Sequence, residues 1–395
     1  MSLLESLEPF RKATYVFGTL PDWCYSSTKT RTQVVLNSVG ILFQILLLFS
    51  LVSYLFLQSY NALIESTSIH VFIPVFVWLL CFSMMLFNQI YFLYKHKLMI
   101  DLFSNWNSLD KTFTAFTNQD LVDEEKKVRK IFVSMLVIFC SCSVGLVTII
   151  PYMSAQRTSY IYHAVIRQIF TDPPLLFVQS VTFVNATLVV FMGHVIPAII
   201  YFHAAVINRT LDEQNKKSFD HSFGFGSQIG YFRRHSLSEE RPLSIMANYQ
   251  KASQLVLRTN HIFGLPALFC HSTLLTWLIF LFYTLLKNSN KNSLIENLII
   301  LGNLPTVAIV LITPLLVSAH YQISLEHLKL TVNRILCEDM TIQWKREYYC
   351  LRTIMFRTSA NNVLGSALNF YNINRSLLLK MFVIFVSYNV ILYQS

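Results

Sequence analysis

The chain has 395 residues, 54% of them hydrophobic and 13% charged, with a net charge of +10. An ordinary soluble domain carries about a quarter charged residues. The mean hydropathy of +0.48 over the whole length excludes one apolar tail on a globular body and implies an all-α membrane protein.

A polar leader, 1–33, holds acids and bases alike, and no cleavable signal peptide is visible in it. Seven apolar runs follow, each long enough for the about 20 residues that cross a bilayer. They cover Val34–Gln58, Ile69–Tyr94, Ile131–Met153, Leu176–Ile207, Ile262–Leu286, Leu294–Ala319 and Val363–Gln394. Within them the only Asp, Glu, Lys or Arg residues are Glu296, Arg375 and Lys380, as expected where charge in hydrocarbon is expensive. Prolines at Pro74, Pro151, Pro197, Pro266, Pro305 and Pro314 are compatible with helices in a bundle, where neighbours satisfy the freed backbone groups.

Orientation follows from the connections. Lys and Arg number 25 in the leader, 95–130, 208–258 and 320–360, against four in the alternate set 59–68, 154–175 and 287–293. The bias predicts a cytosolic N-terminus, an extracellular C-terminus and three long cytosolic connections, in a multi-pass plasma-membrane protein. It also accounts for the net charge, through anionic lipid at the inner leaflet, and no nucleic-acid partner is expected. The seven cysteines, Cys24, Cys81, Cys140, Cys142, Cys270, Cys337 and Cys350, all avoid the predicted outer loops, so no disulfide framework is expected. The sequons at Asn185, Asn208 and Asn374 lie in membrane or cytosol on this topology and carry no message.

Four regions result: a cytosolic leader, 1–33; a six-helix bundle, 34–319; a cytosolic helical anchor region, 320–372; and a last helix, 373–395. The seventh run, from Val363, spans 32 residues, about 48 Å at 1.5 Å per residue against about 30 Å of hydrocarbon. Its first third is expected to project into the cytosol, and helical extensions are expected on helices four to seven. The stretch Asp212–Lys251 is polar and reads as an irregular cytosolic loop.

No motif of catalysis or of cofactor binding is found: no GxGxxG, P-loop, GxSxG or HExxH. No enzyme activity, cofactor or metal is expected. His194 and His203, nine residues apart in the fourth run, do not share a metal and read as packed, hydrogen-bonded core residues. On the last helix, Lys380, Ile384, Ser387, Ile391 and Gln394 fall on one face at 3.6 residues per turn. Such a face suits a water-filled path with an apolar constriction that gates by dewetting. It suits equally a helix whose Ser387 and Gln394 hydrogen-bond to neighbours. In the outer half, Trp78, Tyr152, Gln179, Asn185, Trp277, Tyr283 and Asn303 combine aromatic walls with amides, as a small-molecule site does. Packing or interfacial anchoring explains each of them as well.

The chain ends Ser387-Tyr388-Asn389-Val390-Ile391-Leu392-Tyr393-Gln394-Ser395. This closely resembles the C-terminal signature of insect gustatory receptors: Thr-Tyr, five mostly apolar residues, then Gln-Phe. Ser387 replaces Thr, while Tyr388 and Gln394 are kept. Upstream, Asn372-Ile373-Asn374-Arg375-Ser376 is similar to the family's approach to that helix. The resemblance implies a ligand-gated cation channel, related to insect odorant receptors and assembled from four subunits. It further implies that the seventh helices line the pore, that cytosolic helical parts hold the tetramer together, and that ligand enters from the outer side of helices one to six. Ser395 stands where the family has Phe, and Asn389 puts an amide among the five apolar positions. A homotetramer gated by a small-molecule tastant, conducting cations and embedded in lipid, is the resulting expectation. The shortage of outer acids, Glu65, Asp172 and Glu296, favours an amphiphilic, plant-derived bitter-type compound over a sugar. An odorant receptor subunit is the alternative within the same class. A G-protein-coupled receptor would need the opposite orientation, and a transporter more intramembrane charge.

Overall fold

The computed structural model describes residues 3–16, 31–64, 69–113, 119–155, 173–223, 240–288, 294–338, 349, 352–353, 366–367, 371–373 and 375–394. For some helical residues it describes the backbone alone. The described residues form eight helices: α1 Leu3–Val16, α2 Arg31–Ile64, α3 Ile69–Phe113, α4 Gln119–Ala155, α5 Pro173–Phe223, α6 Glu240–Asn288, α7 Leu294–Glu338 and α8 Arg375–Gln394. Each apolar run falls on one of α2 to α8, so the seven-span, all-α reading of the sequence holds. Prolines 197, 266, 305 and 314 sit inside unbroken helices.

Helices α3 to α7 have 37 to 51 residues, about 55 to 75 Å at 1.5 Å per residue, well beyond the hydrocarbon thickness. The surplus has one address. The C-terminal part of α3, the N-terminal part of α4, the C-terminal part of α5, the N-terminal part of α6 and the C-terminal part of α7 all extend on the side of the cation-rich connections. There a helical body continues the bundle.

α5 is its central post. It packs against α1, α2, α3, α4, α6 and α7, and every residue from Thr187 to Asn208 is buried. The run Val-Val-Phe-Met-Gly-His-Val-Ile-Pro-Ala-Ile-Ile-Tyr is apolar all round, the pattern of a helix enclosed on every side. Gly193 lets α6 approach closely: a Cβ there would lie 2.6 Å from Cys270 Sγ and 3.3 Å from Pro266 Cβ. By contrast, among the described side chains of α8 only Leu377, Met381 and Asn389 are buried.

Three expectations change. The last helix begins at Arg375 instead of Val363, so it has no cytosolic extension. In place of its first third stands a two-stranded antiparallel ladder, β1 Ser366–Ala367 with β2 Tyr371–Asn372, packed against α6. The sequence there, with Asn361, Asn362, Gly365, Asn369, Asn372 and Asn374, is poor in helix formers. Second, the stretch Asp212–Lys251 is helical up to Phe223 and again from Glu240; what lies between is outside the described residues. Third, the leader contains α1, whose Leu7 and Phe10 are buried in the core. Phe10 stacks on Phe191 with ring centroids 5.7 Å apart.

Candidate functional site

α8 packs on α6 and α7 through one stripe. Ile373, Leu377, Met381 and Asn389 are buried, Phe385 and Leu392 half-buried, and Phe282 of α6 meets Phe385 edge-on at 5.2 Å. From Leu377 on, the spacing of 4, 4, 4 and 3 keeps these side chains on one side of the helix. Apart from the half-buried Leu378, the other described side chains of α8 are uncovered in a single chain, including Leu379, Phe382, Val383, Val386, Tyr388, Val390 and Tyr393. The five residues of the proposed pore face, Lys380, Ile384, Ser387, Ile391 and Gln394, are all exposed. Among the described residues, neither Ser387 nor Gln394 hydrogen-bonds to a neighbouring helix. Asn389 departs from that face: it points into the bundle, its Nδ2 donating to the Phe385 carbonyl at 2.8 Å. Its Oδ1 is buried without a partner.

Above the helical body, polar side chains interrupt the apolar core where α3, α5, α6 and α7 meet. Asn185 Nδ2 donates to Gln89 Oε1 at 3.5 Å, and Asn88 Nδ2 to Cys270 Sγ at 3.4 Å. The Asn88 Oδ1 acceptor and the Gln89 Nε2 donor are buried and unpartnered. A second set links three helices: His271 Nε2 lies 2.7 Å from His194 Nδ1, and His194 Nε2 lies 3.1 Å from the Leu311 carbonyl. His194 Nε2–H therefore donates to that carbonyl, and its Nδ1 accepts from His271.

Within the helical body, His203 joins three elements. Its Nδ1 is 2.8 Å from Glu125 Oε1 on α4, and its Nε2 meets Asp110 Oδ1 on α3. Trp106 adds an edge-on contact at 5.7 Å. A neutral imidazole has one N–H and could serve only one carboxylate; the geometry is that of an imidazolium donating to both. Further along, Arg209 Nη1 bonds Glu124 Oε2 at 2.5 Å. Among the described residues no group of three His, Cys, Asp or Glu is arranged to hold a metal.

A model of the 7tm chemosensory receptor family matches residues 7–395. The chain belongs to that family. Its fold is that of a solved receptor: the insect olfactory receptor OR5 from Machilis hrabei in complex with eugenol is similar with a TM-score of 0.72 at 12% identity, over 99% of this chain and 98% of that one. A second structure of that olfactory receptor gives a TM-score of 0.71 at 14% identity, over the same shares. No curated protein sequence matches.

Of the seven receptor residues singled out for a ligand, Trp78, Tyr152 and Gln179 lie on α3, α4 and α5 with side chains outside the described residues. Asn185 is buried against Gln89, Tyr283 is buried, and Trp277 and Asn303 are half-buried. At 1.5 Å per residue these four stand about 8 to 18 Å from the ends of α5, α6 and α7 that lie away from the helical body. Trp277 and Tyr283 are six positions apart on α6, about 120° round the axis, and do not share a wall. Sequence reasoning missed Asn88, Gln89 and His271. An adjacent amide pair inside an apolar run was the available signal for the first two.

Proposed function

We propose that this chemosensory receptor is a ligand-gated, non-selective cation channel of the plasma membrane, opened by a small-molecule tastant of the amphiphilic, plant-derived bitter type. Four copies surround one pore lined by α8, the N-terminus is cytosolic and the C-terminus extracellular. The reading is carried by one observation: α8 leaves a whole face uncovered in a single chain, with Ile384, Ser387, Ile391 and Gln394 on it. An apolar helix this bare must be covered by lipid or by copies of itself, and the face bearing Ser387 and Gln394 is poorly suited to lipid tails. Around an axis, the Ile391 side chains close an apolar ring that excludes ions because their dehydration is expensive.

Small-molecule gating is supported by the buried amides of α3 and α5. Gln89 Nε2 and Asn88 Oδ1 keep one donor and one acceptor in reserve, and a bound molecule with a hydroxyl or carbonyl would satisfy them. The absence of carboxylates from that cluster favours an amphiphilic compound over a sugar. Expression of the receptor alone, in cells lacking other chemosensory subunits, with a tastant panel and whole-cell recording, tests the proposal. Inward cation current within milliseconds of a bitter-type compound is expected. Current that requires a second subunit, or that follows sugars alone, would overturn the homomeric or the bitter part respectively.

A further inference from the structure

The groove between α3 and α6 carries cations that the channel reading does not use. The helices run antiparallel, and three contacts set their register. Phe87 meets Phe269 edge-on at 5.0 Å, Phe92 meets Phe263 at 5.9 Å, and the Tyr91 hydroxyl donates to the His261 carbonyl at 3.4 Å. One turn further toward the helical body stand Lys95 on α3 and Arg258 on α6, while Lys97, two positions after Lys95, is about 160° round α3 from it. Lys95 Nζ lies 5.2 Å from the Tyr94 ring centroid and 5.9 Å from that of Tyr91. Lys97 and Arg258 are exposed.

Among the described residues none of these three cations has a carboxylate partner. The composition of both helices explains why: the first acid of α3 is Asp101, and α6 has none after Glu240. On the other side of the cations the groove edge is apolar and open, with Phe87 43%, Ile90 49% and Tyr94 77% exposed. The change from apolar to basic coincides with the predicted membrane boundary, since the second apolar run ends at Tyr94 and the fifth begins at Ile262. Unpaired cations directly below exposed rings match the two halves of a lipid, acyl chain and phosphate.

The groove also faces the right way. α8 touches α6 at Phe282, thirteen positions from Phe269, which is about 140° round the helix. With α8 at the channel axis, the groove looks outward into the bilayer.

The geometry points to a binding site for an anionic phospholipid in this groove, with Lys95 and Arg258 on the headgroup phosphate and Phe87, Ile90 and Tyr94 along the acyl chain. A guanidinium fork binds phosphate bidentately and lysines act as point charges, and basic pockets between spans on the cytosolic side suit lipid headgroups. The inference rests on the proposed orientation and on α8 facing the axis.

The test is native mass spectrometry of the full chain released from nanodiscs of phosphatidylcholine containing about one tenth phosphatidylinositol 4,5-bisphosphate or phosphatidylserine. Both leaflets then carry the same lipid, so neither gating nor orientation affects the readout. Retention of the anionic lipid over phosphatidylcholine is expected. It should fall on the order of tenfold in Lys95→Gln/Arg258→Gln, which removes both headgroup cations. The control Lys127→Gln/Lys329→Gln removes equal charge from exposed positions elsewhere and should retain it. Equal loss in the control, or no loss in the groove variant, overturns the site. Soluble inositol trisphosphate competing at the lipid's own concentration would assign the groove to a free phosphate and overturn the lipid. Tastant currents absent with lipid retention intact would count against the channel reading alone.

Discussion

Replacing His203 by Ala should destabilise the helical body more than any other single side-chain truncation in it. The two carboxylates that His203 bridges are buried, with side chains 5% and 6% exposed, and they come from different helices, α3 and α4. Set on opposite nitrogens of one imidazole, they lie about 6 to 7 Å apart. Without the ring between them, two unit charges at that distance repel by about 2.5 kcal/mol at an effective dielectric constant near 20. Adding the lost hydrogen bonds brings the expected cost to roughly 3 to 5 kcal/mol, the usual range for breaking a buried charge pair. The assay is retention of monodisperse, detergent-purified receptor after heating, which gives an apparent midpoint for each variant. Asp110→Asn placed on the His203→Ala background should recover about half of the loss, because one charge of the repelling pair is gone. Asp110→Asn alone should cost less than His203→Ala, since His203 keeps Glu125. A His203→Ala variant as stable as its parent, or a double variant no better than it, would refute the account of these three groups as one charged unit.

Gly193→Ala should cost roughly 1 to 3 kcal/mol by forcing α5 from α6; Cys270→Ala should restore part of it by removing Sγ, while the rigid Pro266 ring keeps the rest, as paired thermal midpoints would show. Ile391→Ser should leak current without tastant, whereas Leu392→Ser, on the half-buried stripe, should not; leak from Leu392→Ser alone would mean a pore face rotated by about 100°. Gln89→Leu should shift the half-maximal tastant concentration at least several-fold with peak current retained, and an unchanged dose–response would remove the amide cluster from the ligand site. An epitope on the C-terminus should stain intact cells and one before Leu3 should not; the reverse would invert the topology.

The spans were legible because 20-residue apolar runs admit almost no other structure in lipid. Polar continuations were harder. α5 runs on through Asp212 to Phe223, where the sequence looks like loop; Leu211 and Asp212 are still buried, and tertiary packing can carry a helix past the point where local composition favours it. The start of α8 was misplaced for the opposite reason: Val363 and Leu364 prolong the apolar count, but the glycine and asparagines after them suit a turn. α1 was readable, with Leu3, Leu7 and Phe10 at helical spacing, yet its burial against Phe191 was not. The His203 cluster was the least accessible part. Asp110 and Glu125 are 93 and 78 residues away from it in the chain, and nothing short of the helix pairing brings them together. On α8 the 3.6 period separated Ser387, Ile391 and Gln394 from the stripe that packs on α6 and α7. It also places Asn389 on the packed side, so the amide that departs from the family pattern lies off the proposed pore face.

Single-particle images of the purified receptor in nanodiscs test the central claim most directly. Four copies with α8 innermost, Ile391 at the narrowest ring and contacts between copies lying mainly in the helical body are the expected result. Monomers or dimers, or a ring with α8 against lipid at its periphery, would contradict it.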